Sequence, residues 1–284
     1  MNILLLGAHG QVGAALRPLL ASLGTLTAWT RADLDLQQPA QIRARVLEVR
    51  PQLIINAAAY TAVDRAESEP HIAHAINATA PAVLAAVASQ CDALLVHYST
   101  DYVFDGNKTT PYLEEDAAHP LNVYGQTKLE GERAIQSSGC RHLIFRTSWV
   151  YSATGHNFLR TILRLAKTQS RLRIVADQQG APTAAPMIAR LTLQAIQAVQ
   201  ADTQRAGLYH LSAAGQTTWH GFAQAIVQAA GFDVPVDTIT TLDYPTPARR
   251  PMYSVLDHQR LRTQLDLRPT SWQLGLEEVM ATLV

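Results

Sequence analysis

What this chain lacks narrows its function before any motif is read. It has only two cysteines, Cys91 and Cys140, far apart in sequence. They form no CxxC pair and are too few for a disulfide framework or a structural zinc site, so they read as ordinary thiols of a reducing compartment. No charge of one sign accumulates: 23 Lys and Arg face 23 Asp and Glu, and charged residues make up only 16% of the chain. A balanced surface offers no basic field to nucleic acid or to an anionic membrane. The apolar opening, Ile3 to Leu6, has no basic segment before it and is too short for a signal peptide or a membrane span. Disorder is excluded as well, because 48% of the residues are hydrophobic and the formal net charge is zero. With 284 residues the chain can bury a large core in one or two domains. The expectation is a cytoplasmic protein whose partners are small molecules or other proteins, with no nucleic acid and no membrane.

What is present is an alternation of short apolar runs with longer helical stretches. Strands are predicted at Asn2–Leu6, Thr25–Trp29, Leu53–Asn56, Ala93–Tyr98, His142–Thr147 and Leu172–Val175. Helices are predicted near Gln11–Ser22, Ala40–Val49, Ala73–Gln90, Val123–Ser137 and Asn157–Lys167. Every gap is long enough for the crossover a parallel pair requires. The fold class is therefore α/β, a Rossmann-type doubly wound parallel sheet. After Val175 the texture changes, with Gly, Ala and Pro crowded into Asp177–Pro186. A helix near Ile188–Val199, a strand near Leu208–Leu211 and a helix near Trp219–Ala229 follow. Residues 1–150, with strands returning up to about 176, make a dinucleotide-binding domain. Residues 151–284 make a smaller C-terminal lobe built around a substrate.

Gly7-Ala8-His9-Gly10-Gln11-Val12-Gly13 follows the first strand directly and opens a helix. Glycine there lets the backbone turn tightly, approach a pyrophosphate without a Cβ in the way, and pack the helix onto the strand. Free amides at the helix start then face the phosphates. The end of the second strand should read the adenosine ribose. A carboxylate at that point accepts from a 2′-hydroxyl, whereas an Arg accommodates a 2′-phosphate. Thr30 and Arg31 stand there, with Asp33 and Asp35 slightly later. Thr30 does not repel a 2′-phosphate and Arg31 can pair with one, which tilts the reading to NADPH over NADH. Arg31 as a solvated surface charge is the competing reading. Asn56 to Thr61 ends the third strand with small side chains that suit the nicotinamide side.

Tyr124 and Lys128 form a YxxxK pair on one helix face, so the ammonium can sit beneath the phenol. A ketone reduction needs a proton for the developing alkoxide, and a phenol holds one at neutral pH. Ser99 and Thr100 lie at the carboxyl end of the fourth strand, where open α/β sheets bind ligands. A hydroxyl there can hydrogen-bond the carbonyl and its alkoxide. Thr100, Tyr124 and Lys128 therefore make a candidate catalytic set.

With these blocks in order, the chain resembles the dTDP-4-dehydrorhamnose reductase family of the extended short-chain dehydrogenase/reductase superfamily nearly end to end. The resemblance rests on GxxGQVG at Gly7–Gly13, NAAAYTAVDRAE at Asn56–Glu67, STDYVFDG at Ser99–Gly106 and PLNVYGQTKLEGE at Pro120–Glu132. It continues through RTSWVY at Arg146–Tyr151, DQQGAPT at Asp177–Thr183 and YPTPARRP at Tyr244–Pro251. It implies an oxidoreductase that reduces the C4 ketone of a dTDP-4-dehydro-6-deoxy sugar with NADPH or NADH. Tyr124 would then be the proton donor, Lys128 its support and a holder of the nicotinamide ribose, and Thr100 the group that orients the carbonyl. Gly10, Gln11 and Val12 would contact the pyrophosphate, Asp35 and Leu36 the adenine, and Ala59, Tyr60, Thr61 and Tyr98 the nicotinamide side. Asp101 and Trp149 fall where the family holds the sugar nucleotide. Arg249 and Arg250 either neutralise the substrate diphosphate or form a solvated loop pair. Some members bind magnesium across a dimer with carboxylates at positions that here carry Ala15 and Pro186. No metal is therefore expected, magnesium included, and a monomer is favoured over a homodimer. Two other readings stay open. One is a nucleotide-sugar epimerase or dehydratase on the same scaffold. The other is a non-catalytic NADP-binding subunit resembling the regulatory subunit of methionine adenosyltransferase.

Overall fold

The computed structural model describes residues 1–283. Strands β1 (Asn2–Leu6), β2 (Thr25–Trp29), β3 (Leu53–Asn56), β4 (Leu94–Thr100), β5 (His142–Thr147) and β6 (Gly207–His210) form one six-stranded sheet in the order β6-β5-β4-β3-β1-β2. Every neighbouring pair is parallel. Parallel strands are covered on both faces, which is why they read as unbroken apolar runs. In β1, Ile3 and Leu5 enter one core and Leu4 and Leu6 the other. Full burial of each such side chain contributes roughly 1.5–3 kcal/mol.

On the first face lie α1 (Gln11–Leu20) and α5 (Ala185–Ala201), the latter supplying Ile188, Ala195 and Ile196. On the second lie α2 (Pro39–Val49), α3 (Pro70–Gln90) and α4 (Val123–Ser137). Helix α3 has the length and apolar composition of a membrane span. Its buried face, with Leu84, Ala85 and Val87, joins the second core instead. A π-helical turn, Ala75–Thr79, interrupts it. Helix α4 starts where its residue types dictate: Asn122 accepts from Gly125 N at 2.8 Å, the N-cap bond that satisfies a free amide.

One strand goes elsewhere than expected. Leu172–Val175 does not return to the main sheet but pairs in parallel with Val236–Ile239 in a separate two-stranded sheet. The sixth main strand is Gly207–His210, hydrogen-bonded to β5. Helix α5 provides the crossover that precedes it. Two further ladders, Val150–Tyr151 with Thr183–Ala184 and Gln179–Gly180 with Thr217–Thr218, stitch the C-terminal segments together. The helices Phe158–Ala166, Trp219–Ala229 and Trp272–Ala281 complete that part of the chain.

Candidate active site

A cavity of about 640 Å³ runs along the carboxyl ends of the strands, from the glycine turn after β1 to Tyr124 and Lys128 on α4. Its walls include Gly7, Gly10, Gln11, Val12, Thr30, Arg31, Asp35, Leu36, Ala59, Tyr60, Thr61 and Tyr98. The order of strands reverses between β1 and β3, the place where such sheets bind ligands. Gly13 lies beneath the turn rather than in the wall: a Cβ on it would come within 2.1 Å of Gly7 O. Gly7 has φ +76° and no room for a side chain against Ala57 and Ala58.

The Gln11 side chain is taken up by protein. Its Oε1 accepts from Ser152 Oγ at 3.0 Å and Asn157 Nδ2 at 2.8 Å, and its Nε2 faces Val150 O at 3.4 Å. Only the backbone amide of Gln11 is thus left to face the cavity. At the other end, Asp33 turns back to accept from both the Thr30 amide and the Thr30 hydroxyl, each at 2.8 Å. These bonds hold its carboxyl below the usual range. A carboxylate and the exposed Arg31 therefore share the end of the cavity next to β2.

Lys128 is buried, and burial draws its amine down to about 8 against the opposing charge of Glu132. Its Nζ donates to Tyr98 O at 2.5 Å and lies 3.2 Å from His97 Nε2. His97 Nδ1 in turn stands 3.1 Å from Asn56 Nδ2. Burial holds His97 neutral, with the Lys128 charge adding to the effect. Burial likewise pushes the Tyr124 phenol up to about 12, with Thr100 working against that rise and Asp101 adding to it. The phenol is a stored proton at neutral pH. Thr100 accepts from Tyr102 N at 3.1 Å and donates to Asp101 Oδ1 at 3.1 Å.

Several supporting side chains were invisible in the linear chain. Asn77, in the π-helical turn of α3, brackets Tyr60: its Oδ1 accepts from Tyr60 N at 2.9 Å and its Nδ2 donates to Tyr60 O at 3.1 Å. The same amide reaches Thr127 beside Lys128 at 3.2 Å. Tyr60 OH is held by Glu69. Under α4, Glu132 accepts from two nitrogens of Arg146, from Nε at 3.0 and 3.2 Å and from Nη2 at 2.7 Å, both side chains being buried. Asn122 was also missed, although an N-cap residue type directly before the helix is a local signal that could have found it. Asn77, His97 and Asn56 carried no local signal.

The candidate substrate residues separate. Trp149 has φ +47°, and its ring stacks on Trp219 with centroids 3.6 Å apart and planes 7° apart. It also presses on Gly180, where a Cβ would meet the indole at 2.5 Å. One face of the indole is thus spoken for by protein. Arg250 pairs with Asp64, Nη2 to Oδ2 at 2.8 Å, and borders a second cavity of about 370 Å³ with Phe158, Gln178, Trp219, Tyr244 and Thr246. The Arg249 side chain is exposed, and its carbonyl accepts from Asn122 at 2.7 Å. Among the described residues no group of three His, Cys, Asp or Glu could hold a metal ion.

Against known proteins, the family model described as RmlD substrate binding domain matches residues 1–284. A dTDP-4-dehydrorhamnose reductase of Escherichia coli K12 is 46% identical over 100% of this chain and 98% of its own length. Among solved structures, a dTDP-4-dehydrorhamnose reductase of Clostridium acetobutylicum superposes with a TM-score of 0.94 at 38% identity, covering 100% of this chain and 99% of that one. The dTDP-4-dehydrorhamnose reductase of Bacillus anthracis in complex with NADP gives 0.93 at 35% identity, over 99% and 98% of the two chains.

Proposed function

The chain belongs to the RmlD substrate-binding-domain family, and from that membership we propose that it reduces dTDP-4-dehydrorhamnose to dTDP-L-rhamnose with a nicotinamide dinucleotide. The observation that carries this is that Tyr124 and Lys128 stand at one end of a cavity whose other end is the glycine turn, with the buried Thr100 hydroxyl beside the Tyr124 phenol. The cavity fits such a cofactor in chemistry as well as extent. The floor at Gly7 and Gly13 admits no Cβ, small alanines line the β3 side, and the ribose end carries Thr30, Arg31 and Asp33.

When bound, the dihydronicotinamide supplies the hydride. The chain does the rest. Tyr124 OH gives its proton to the oxygen of the ketone, and the high affinity of the phenol for that proton keeps it loaded at neutral pH. Lys128 has three potential N–H donors as an ammonium. Tyr98 O takes one of them from below and His97 packs 3.2 Å away, which leaves a donor for the cavity where a ribose hydroxyl would lie. Asn77 locks the Tyr60 segment that forms the nicotinamide wall. The sugar nucleotide enters from the Arg250 side: Arg250 stands next to Tyr102, whose ring meets Tyr124 edge-on at 5.9 Å. Because Asp64 already neutralises Arg250, that guanidinium positions the loop more than it binds a diphosphate. Among the two nicotinamide cofactors we favour NADPH, on Arg31 standing free and exposed beside the cavity. With Ala15 and Pro186 in place of the carboxylates that bridge a dimer in some relatives, we read the enzyme as a monomer.

The test is nicotinamide oxidation by purified protein given dTDP-4-keto-6-deoxyglucose and a 3,5-epimerase. Oxidation should require the epimerase, proceed stoichiometrically, and fall about 100-fold or more in Tyr124→Phe. Folded protein that binds NADPH yet oxidises none would refute the assignment. Recycling without net oxidation would point to an epimerase.

A further inference from the structure

The hydroxyl of Thr100 has one hydrogen, for which the Asp101 carboxyl and the Tyr124 phenol both compete. Its oxygen already accepts from Tyr102 N, and its hydrogen is directed at Asp101 Oδ1. A hydroxyl so committed cannot also donate to a substrate carbonyl. Asp101 is itself unusual. It is fully buried in the turn that follows β4, and among the described residues its second oxygen, Oδ2, has no partner within hydrogen-bond distance, although the Ser254 hydroxyl lies close enough to favour the carboxylate. A buried carboxylate normally has each oxygen satisfied or paired with a cation. Among the described residues no cation pairs with this one. The groups around it are Tyr124 from α4, Tyr102 from its own turn and Ser254 from the C-terminal segment, with the Arg250–Asp64 pair behind Tyr102.

We propose that Asp101 is a positioning residue that works as a neutral acid: protonated, it donates to Thr100 Oγ and frees the Thr100 hydrogen for the carbonyl oxygen being reduced. Ionised, Asp101 draws that hydrogen away from the reaction. No covalent step is involved; a single proton on Asp101 reverses the direction of one hydrogen bond. Burial holds the carboxyl up at about 7, against the lowering effect of Ser254 and Thr100. The switch therefore operates near neutrality. The inference rests on the ketone reduction proposed above.

The experiment is the pH profile of kcat at saturating substrate and cofactor for the wild type and Asp101→Asn, with thermal unfolding and NADPH affinity as controls. An amide mimics the neutral acid by presenting an N–H to Thr100 Oγ. The wild type should lose about tenfold in kcat per pH unit above the titration of Asp101. Asp101→Asn, slower by roughly two- to fivefold at pH about 6 because an amide is a weaker donor, should show no such limb and should overtake the wild type at alkaline pH. Ser254→Ala removes a group that favours the carboxylate, so it should move the wild-type limb to higher pH. An unchanged limb in both variants would overturn the proposal. So would an Asp101→Asn protein that binds NADPH and is as inactive as Asp101→Ala at every pH. If the wild type itself oxidises no NADPH, the parent reading fails instead, and the two failures are distinct.

Discussion

Asp101→Asn should make the protein more stable, by an amount that grows with pH. The unfolded chain ionises Asp101 near 3.8, whereas burial raises the folded value to about 7. Between those values the folded state holds a proton that the unfolded state has released, so the wild type loses stability as pH rises through the window. Each pH unit corresponds to about 1.4 kcal/mol, and roughly three units give about 4 kcal/mol at pH 8. Asparagine carries no such penalty. For a chain of 284 residues the unfolding entropy is on the order of 600 cal/mol/K, so the variant should melt about 7 °C higher at pH 8 and about level with the wild type at pH 4. Differential scanning fluorimetry across that range measures the gap directly. Other titrating groups cancel in the difference between two proteins that share them. A gap that is constant with pH, or that narrows as pH rises, would refute the assignment of a neutral buried acid.

Three further perturbations follow from the packing. Arg146→Met leaves Glu132 as an uncompensated buried charge and should cost about 3–5 kcal/mol in thermal or urea unfolding, most of it recovered in the apolar pair Arg146→Met with Glu132→Leu; a loss under about 1 kcal/mol in the single variant would contradict the buried bidentate pair. His258 is held down to about 4 by burial, from an ordinary 6.5, so its contribution to stability is lost as pH falls below about 6.5. The loss is about 1.4 kcal/mol at pH 5.5, with buried His97 and His210 acting in the same direction. Because Asp101 gains stability over the same interval, the measure is the gap in melting temperature between the wild type and His258→Asn, in which the shared groups cancel; a gap that did not shift against the wild type on acidification would be inconsistent with this. Gly125→Ala places a Cβ 2.1 Å from Tyr102 O, so α4 must move away from the turn that carries Thr100 and Asp101. Displacement of Tyr124 by an ångström should lower kcat about 10- to 100-fold, with NADPH affinity changed far less; wild-type turnover would mean the helix gives without moving Tyr124.

The strands were legible because a doubly covered parallel sheet demands continuous apolar runs, and Ile3–Leu6 or Leu53–Ile55 satisfy no other placement well. The glycine turn and the YxxxK pair were legible because each motif is local, its members within a turn or two of one another. Leu172–Val175 shows where that reasoning stops. Its residues announce a strand but not a partner, and Val236–Ile239 was not recognised as the strand waiting for it. The side chains that support Lys128 escaped for a related reason. Asn56, Asn77 and His97 acquire meaning only through bonds to residues far along the chain, and each alone is an unremarkable polar residue in an apolar setting. Asp33 lay within reach of sequence reasoning, because Thr30 followed three residues later by an acid is a local capping pattern. Its carboxyl bonding back onto Thr30 alters the reading of the ribose end.

The amide of Gln11 has a consequence for how this protein can be rebuilt. It sits in the glycine turn after β1 yet spends both ends on Val150, Ser152 and Asn157, so the N-terminal and C-terminal halves of the chain are not interchangeable cassettes. A chimaera joined near residue 150 inherits a mismatched lock unless position 11 travels with positions 152 and 157. Specificity engineering by swapping the C-terminal half must therefore graft three residues as one unit, the first of them at the far end of the gene.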